Sequence, residues 1–239
     1  MKRGIRAFYN DGPTGTRRLN PLALALPQPW IVAGWGVAIP VLLWAARRAP
    51  WSRFAASEQV HVWYGSIFAV IVLWSIRATV GDGFTFHLLG VGALTLVGGP
   101  ALALLGAAIA IVVSLAVRGG MWPNAGVAFV TMAAIPVATT WLVLRFAERR
   151  LPPNFFVYVF VVAFHGAALS LGAAGVGGAT VLALGGGRPA GLVFGEYLPY
   201  LLYLAFGEGT LTGMALTLMV VYRPHWVATF DDAHYIDGR

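Results

Sequence analysis

The chain contains no cysteine. Disulfide frameworks, thiolate zinc sites and cysteine nucleophiles are therefore excluded. Charge is scarce as well: Asp, Glu, Lys and Arg make up 10% of the 239 residues. A soluble domain carries about a quarter. No Walker phosphate loop, HExxH helix, Ser-His-Asp set or pair of catalytic carboxylates is present, so the chain reads as a non-enzyme. Short segments of strict apolar–polar alternation are missing too, which excludes a porin-like barrel.

What remains is apolar. Hydrophobic residues make up 59% of the chain, and the mean hydropathy is +0.76. The apolar residues fall into seven segments, roughly 29–46, 60–80, 86–98, 100–117, 124–146, 155–184 and 196–222. A bilayer core needs about 20 helical residues. The expected fold is all-α, a polytopic membrane bundle of about seven transmembrane helices. The third segment is too short to span; it follows "GDGF" and ends at "GGP", so it reads as a helix that begins below the surface after a glycine-rich loop. The sixth ("GAALSLGAAGVGGATVLALGGG") reads either as one helix or as a helix broken near Gly172 to Gly178. No polar linker divides the chain. The expected organisation is an extramembrane segment 1–25, a helical transmembrane domain 26–223 and a cytoplasmic tail 224–239.

The net charge of +7 does not point to nucleic acid, because the basic residues sit at the ends of apolar runs. There they meet lipid headgroups and orient helices. With Arg47, Arg48 and Arg53 cytoplasmic, an odd number of spans also places Arg145, Arg149, Arg150, Arg223 and Arg239 inside. Arg77, Arg118 and Arg188 are then outside. The expected location is a bacterial inner (cytoplasmic) membrane, multi-pass, with the N-terminus outside and the C-terminus cytoplasmic. The basic N-terminal segment (Lys2, Arg3, Arg6, Arg17, Arg18) then lies outside, against the rule, held by packing on the protein or by headgroups. The polar N-terminus, with no small-residue cleavage site after the first apolar run, argues against a cleavable signal peptide.

Ionisable groups inside membrane segments are costly, which makes each a functional candidate. They are His61, Arg77, Asp82, His87, His165, Glu196 and Glu208. Arg77 and Glu196 lie near helix ends and can snorkel. His61 stands beside Trp63 and Tyr64, where an interfacial anchor competes with a ligand role. His165 is mid-helix, as a ligand or as a hydrogen-bonded core group. Glu208, flanked by glycines and by Thr210 and Thr212, is placed to accept hydrogen bonds from a neighbouring helix end or to shape a cavity. Asp82 and His87 form the strongest pair. A glycine-rich loop (Gly81, Gly83, with Gly90 following) lets backbone approach a small ligand. A neutral imidazole suits nickel, cobalt, copper or zinc better than magnesium or calcium. The tail "TFDDAHYIDGR" holds Asp231, Asp232, His234 and Asp237 and reads as a solvated end rather than a second metal site.

The stretch from "GDGFTFHLLG" through "GGP", Gly119-Gly120 and Asn124 to Gly126 resembles the CbiM/NikM family. These are the substrate-binding membrane components of energy-coupling-factor transporters for cobalt and nickel. Near the C-terminus "GEGTLTGM" matches the family's Glu-x-x-x-Thr-[Ala/Gly] segment through Glu208, Thr212 and Gly213. The resemblance runs from about residue 20 to 222. It implies capture of a transition-metal ion as substrate, no organic cofactor, and reorientation in the lipid bilayer driven by a transmembrane coupling subunit and a cytoplasmic ATPase pair. In the family the metal is held by a free N-terminal amine, by the second residue's backbone and imidazole, and by a loop histidine that His87 matches. Here Lys2 stands where the family has a histidine, and an extension of nearly twenty residues precedes "LNPLALALPQPW". The expected ligands are therefore internal: His87 with at least one of Asp82, His61 or His165. The alternative is a non-transporting scaffold, sensor or assembly factor that keeps the fold without the family's metal site. Its support is the departing N-terminus and the acidic-aromatic tail.

Overall fold

The computed structural model describes residues 26–80, 84–186, 189–231 and Tyr235. Seven helices follow one another among them: α1 (Gln28–Arg48), α2 (Ser57–Ser75), α3 (Val91–Gly98), α4 (Pro100–Arg118), α5 (Trp122–Arg150), α6 (Val157–Gly185) and α7 (Ala190–Tyr222). Five of them, α1 and α4 to α7, are long and apolar enough to cross a membrane. The surface confirms the environment: Phe68, Phe160, Leu202 and many other large apolar side chains point outward. In water such a surface would drive association; in lipid it is the solvated face.

The helices start and stop where the sequence dictates. Proline occupies the first turn of α1 and α4, where its missing N–H costs nothing. Gly119, in the left-handed conformation, closes α4, and Arg47 and Arg48 lie in the last turn of α1. The inward residues of α1 are small, Gly34, Ala38 and Ala45. The backbones of α1 and α5 cross so closely that a Cβ on Gly126 would stand 2.6 Å from Trp35 N. α6 is one continuous helix from Val157 to Gly185, which settles the alternative of a break near Gly172 to Gly178. Its glycines contribute to contact faces: a Cβ on Gly175 would meet Leu201 at 2.4 Å.

One end of the bundle gathers the arginines. Arg47 and Arg48 end α1, and Arg149 and Arg150 end α5. The described residues of the tail after α7 fold back over this end; Asp232, His234 and Asp237 of the stretch expected to be solvated lie outside the described residues. Gln59 Nε2 donates to the His225 carbonyl at 2.8 Å, and the Trp226 indole donates to Glu58 at 2.7 Å. Ala228 N and Thr229 Oγ1 donate to the carbonyls of Val97 and Leu96 at 3.0 and 2.8 Å. Those two carbonyls belong to the last turn of α3, which has no intrahelical donors for them. Phe230 and Tyr235 stack at 5.2 Å and both pack edge-on against buried Tyr158.

Because α3 has 8 residues, it rises only about 12 Å from that end. The chain between α2 and α3 must therefore descend into the bundle from the opposite end. It does so as a short antiparallel hairpin that the expected all-helical pattern had not included. Strand β1 (Ala78–Val80) pairs with β2 (Phe84–Phe86) in the register Ala78↔Phe86, Thr79↔Thr85, Val80↔Phe84. The second apolar segment accordingly ends its helix at Ser75, and the third begins its helix at Val91.

Candidate metal centre

In β2 successive side chains alternate between faces. Phe84 and Phe86 are buried, and the Phe86 ring stacks on Tyr197 of α7 at 4.9 Å. This anchoring positions Thr85 and His87 on either side of Phe86, which itself borders the same space. Both line one cavity of about 70 Å³, closed on its far sides by Thr131 and Met132 of α5, Leu171 and Gly175 of α6, and Tyr197 and Leu201 of α7. A single water fills about 10–15 Å³ by this measure, so the space admits an ion with a partial hydration shell. Val130–Ala134 of α5 and Val193–Tyr197 of α7 are π-helical where they meet the cavity. Such widened turns recur at functional sites.

His87 is oriented from both sides. Its Nδ1 lies 3.0 Å from the Leu88 carbonyl. A carbonyl only accepts, so Nδ1 carries the proton and the lone pair is left on Nε2, the arrangement metal-binding histidines use. The Trp74 ring lies 5.8 Å from the imidazole, and its indole N–H donates to the Leu89 carbonyl at 2.9 Å. From α7, Glu208 accepts the Leu89 N–H at 2.8 Å and the Gly90 N–H at 2.6 Å. Gly90 is left-handed (φ 65°) and turns the extended segment into α3. Thr212, one turn beyond Glu208, is also buried.

The other sequence candidates lie elsewhere. Asp82, Gly81 and Gly83 fall outside the described residues. His61 is exposed near the start of α2, its Nδ1 2.6 Å from the Ser57 carbonyl. Trp74, and with it His87, is about 20 Å further along that helix. His165 is exposed on α6, 2.6 Å from the Phe160 carbonyl. Neither reaches the cavity, and no group of three His, Asp or Glu side chains gathers among the described residues. The lining that sequence reading missed is the polar Thr85, Thr131 and Tyr197 and the Met132 thioether. Only Thr85 carried a signal, two residues before His87 in a strand. Its Oγ1 is buried without a hydrogen-bond partner.

Residues 23–226 match the CbiM family, the cobalt uptake substrate-specific transmembrane region. The chain belongs to this family. Among solved structures, its fold is similar to that of a truncated transition metal transporter: TM-score 0.71, 18% identity, 82% of this chain and 96% of that one. A second transition metal transporter is similar over 81% of this chain and 89% of its own, with TM-score 0.68 and 18% identity. At that identity the likeness shows a shared fold. No curated protein sequence matches. As a CbiM-family chain with five membrane-length helices, it is a multi-pass membrane protein of a metal-uptake family.

Proposed function

We propose that the chain is the substrate-binding membrane component of an energy-coupling-factor importer for a transition-metal ion, nickel or cobalt, with His87 as a ligand. The observation that carries the reading is the imidazole itself: half-buried ahead of α3, its Nδ1 tied to a carbonyl, its ring on a cavity that admits a partly hydrated ion. Further support comes from family membership and from the resemblance of two solved transition metal transporters in fold.

In this reading the arginine-rich end is cytoplasmic, and the cavity opens toward the outer end, where the hairpin enters. The chain binds the ion as substrate, and its sequence has no Walker phosphate loop, so in this reading a transmembrane coupling subunit and an ATPase pair supply the energy. The deciding experiment is calorimetry of nickel and cobalt binding to the purified chain beside its His87→Ala variant. Loss of one imidazole ligand weakens affinity by at least about 10-fold, since even outer-shell changes cost that much. Equal affinity in the two proteins would falsify the site.

A further inference from the structure

Glu208 stands out once the site is drawn. It is 1% exposed, and among the described residues no other carboxylate is buried. Neither of the ion pairs among those residues includes it. Its partners are two backbone N–H groups at the start of α3. A buried carboxylate without a cation is costly, and two N–H dipoles with the positive end of a short helix offset only part of that cost. The Leu89 nitrogen it holds is two residues from His87, so the Cα atoms of those residues are at most about 7.6 Å apart.

We propose that Glu208 is a specificity-determining residue: its carboxylate is the buried counter-charge that favours a divalent over a monovalent ion at His87. The inference rests on the reading that His87 holds the substrate ion, and it adds a role that a hydrogen-bonding part alone does not require. The same carboxylate fixes the backbone that presents the imidazole and sets the local potential. A dication bound at His87 interacts with this single negative charge twice as strongly as a monocation at the same place. Thr85, which lines the same cavity, is neutral and cannot replace this charge.

The Coulomb energy between carboxylate and ion scales with ion charge. Removing the carboxylate charge therefore lowers divalent affinity by a factor that is the square of the monovalent one. The experiment measures Ni(II) and Ag(I) affinities of the full chain, wild type, His87→Ala, Glu208→Gln and Glu208→Asp, by calorimetry in detergent. Expected for Glu208→Gln is a loss of about 100-fold for Ni(II) against about 10-fold for Ag(I). Equal losses for both ions, as from a loosened fold, or no loss, overturn the proposal. Glu208→Asp keeps the charge while shortening its reach, so the carboxylate stands farther from the ion and both affinities fall, Ni(II) more than Ag(I) but each less than in Glu208→Gln. That variant carries the test alone should Glu208→Gln not fold, and equal losses for both ions overturn the proposal there. If His87→Ala binds both ions like the wild type, the site reading fails and this inference with it. If His87→Ala loses binding while Glu208→Gln keeps the wild-type ratio, only the inference fails.

Discussion

Glu208 and Gly90 are 118 residues apart in the chain, yet Glu208 Oε1 accepts the Gly90 N–H at 2.6 Å. The bond ties the middle of α7 to the turn where β2 gives way to α3. The end of α2 is tied to the same turn, since Trp74 donates to the Leu89 carbonyl. His87 thus sits on a segment whose following backbone is held by two different helices. Binding constellations need this kind of support, because a loosely held ligand loses affinity through geometry alone.

The first prediction compares the three described histidines proposed from sequence. His87→Ala removes the imidazole on the cavity, whereas His61 and His165 are exposed and turned to backbone carbonyls of their own helices. Affinity for nickel or cobalt should fall by at least about 10-fold in His87→Ala and stay within about 3-fold of wild type in the other two. Calorimetry of the three variants decides it. A loss in His61→Ala or His165→Ala as large as in His87→Ala would show a site assembled differently.

Gly90→Ala tests the turn itself. The residue is left-handed at φ 65°, and an added Cβ would meet Leu73 Cδ1 at 2.9 Å. The left-handed conformation costs an L-residue about 1–2 kcal/mol, and Leu73 must also give way. We expect a loss of stability of about that size in a thermal melt, accompanied by weaker metal binding. A variant as stable as wild type would mean the turn relaxes freely and does not position His87.

The bundle was legible because its signals are local. Apolar runs, arginines at the ends of α1 and α5 and the short third segment all register within one helix. The hairpin was not: the glycines of "GDGF" marked a loop, but nothing in "ATVGDGFTF" showed that its two flanks pair as strands. Only the 8-residue length of α3 forces the chain to descend extended. His87 was found through its glycine-rich loop and its match to a family position. Its surroundings were not, because Thr131, Met132 and Tyr197 reach the cavity through π-helical turns that shift the side-chain register. For Glu208 the sequence supplied the type of partner, a helix end; which end it was depended on the packing of α7 against α3. His61 and His165 show the converse: a histidine in an apolar run can face outward and still satisfy one nitrogen on its own helix.

Orientation gives a prediction with a binary outcome. The arginine-rich end carries the exposed Ser52 and Pro153, and Trp122, 52% exposed, lies at the opposite end. With no native cysteine to remove, Ser52→Cys, Pro153→Cys and Trp122→Cys are made singly. In intact cells a membrane-impermeant thiol reagent should label only Trp122→Cys. Labelling of the first two instead would invert the topology, contrary to the excess of arginine that favours a cytoplasmic location.

The tail contact on α3 is the last test, and the donor directions define it. The Leu96 carbonyl can only accept, so the Thr229 hydroxyl donates to it at 2.8 Å. That leaves Thr229 Oγ1 to accept from the Tyr158 hydroxyl at 2.7 Å. Thr229→Val is close to isosteric but strands the buried Tyr158 hydroxyl and leaves the Leu96 carbonyl only the longer bond from Thr229 N, at 3.3 Å. Each unsatisfied group costs about 1–3 kcal/mol. Tyr158→Phe removes the first donor and leaves the Thr229–Leu96 bond intact, so its cost is nearer 1 kcal/mol, the net value of one hydrogen bond. Thr229→Ser keeps the hydroxyl and should remain within about 1 kcal/mol of wild type. Thermal unfolding in detergent should therefore rank Thr229→Val as the least stable of the three. Combining Thr229→Val with Tyr158→Phe should recover part of the loss, because the stranded hydroxyl is then gone. If the double variant is instead as unstable as the two single losses added together, the two hydroxyls do not interact, and Tyr158 holds the tail through its aromatic packing on Phe230 and Tyr235 alone.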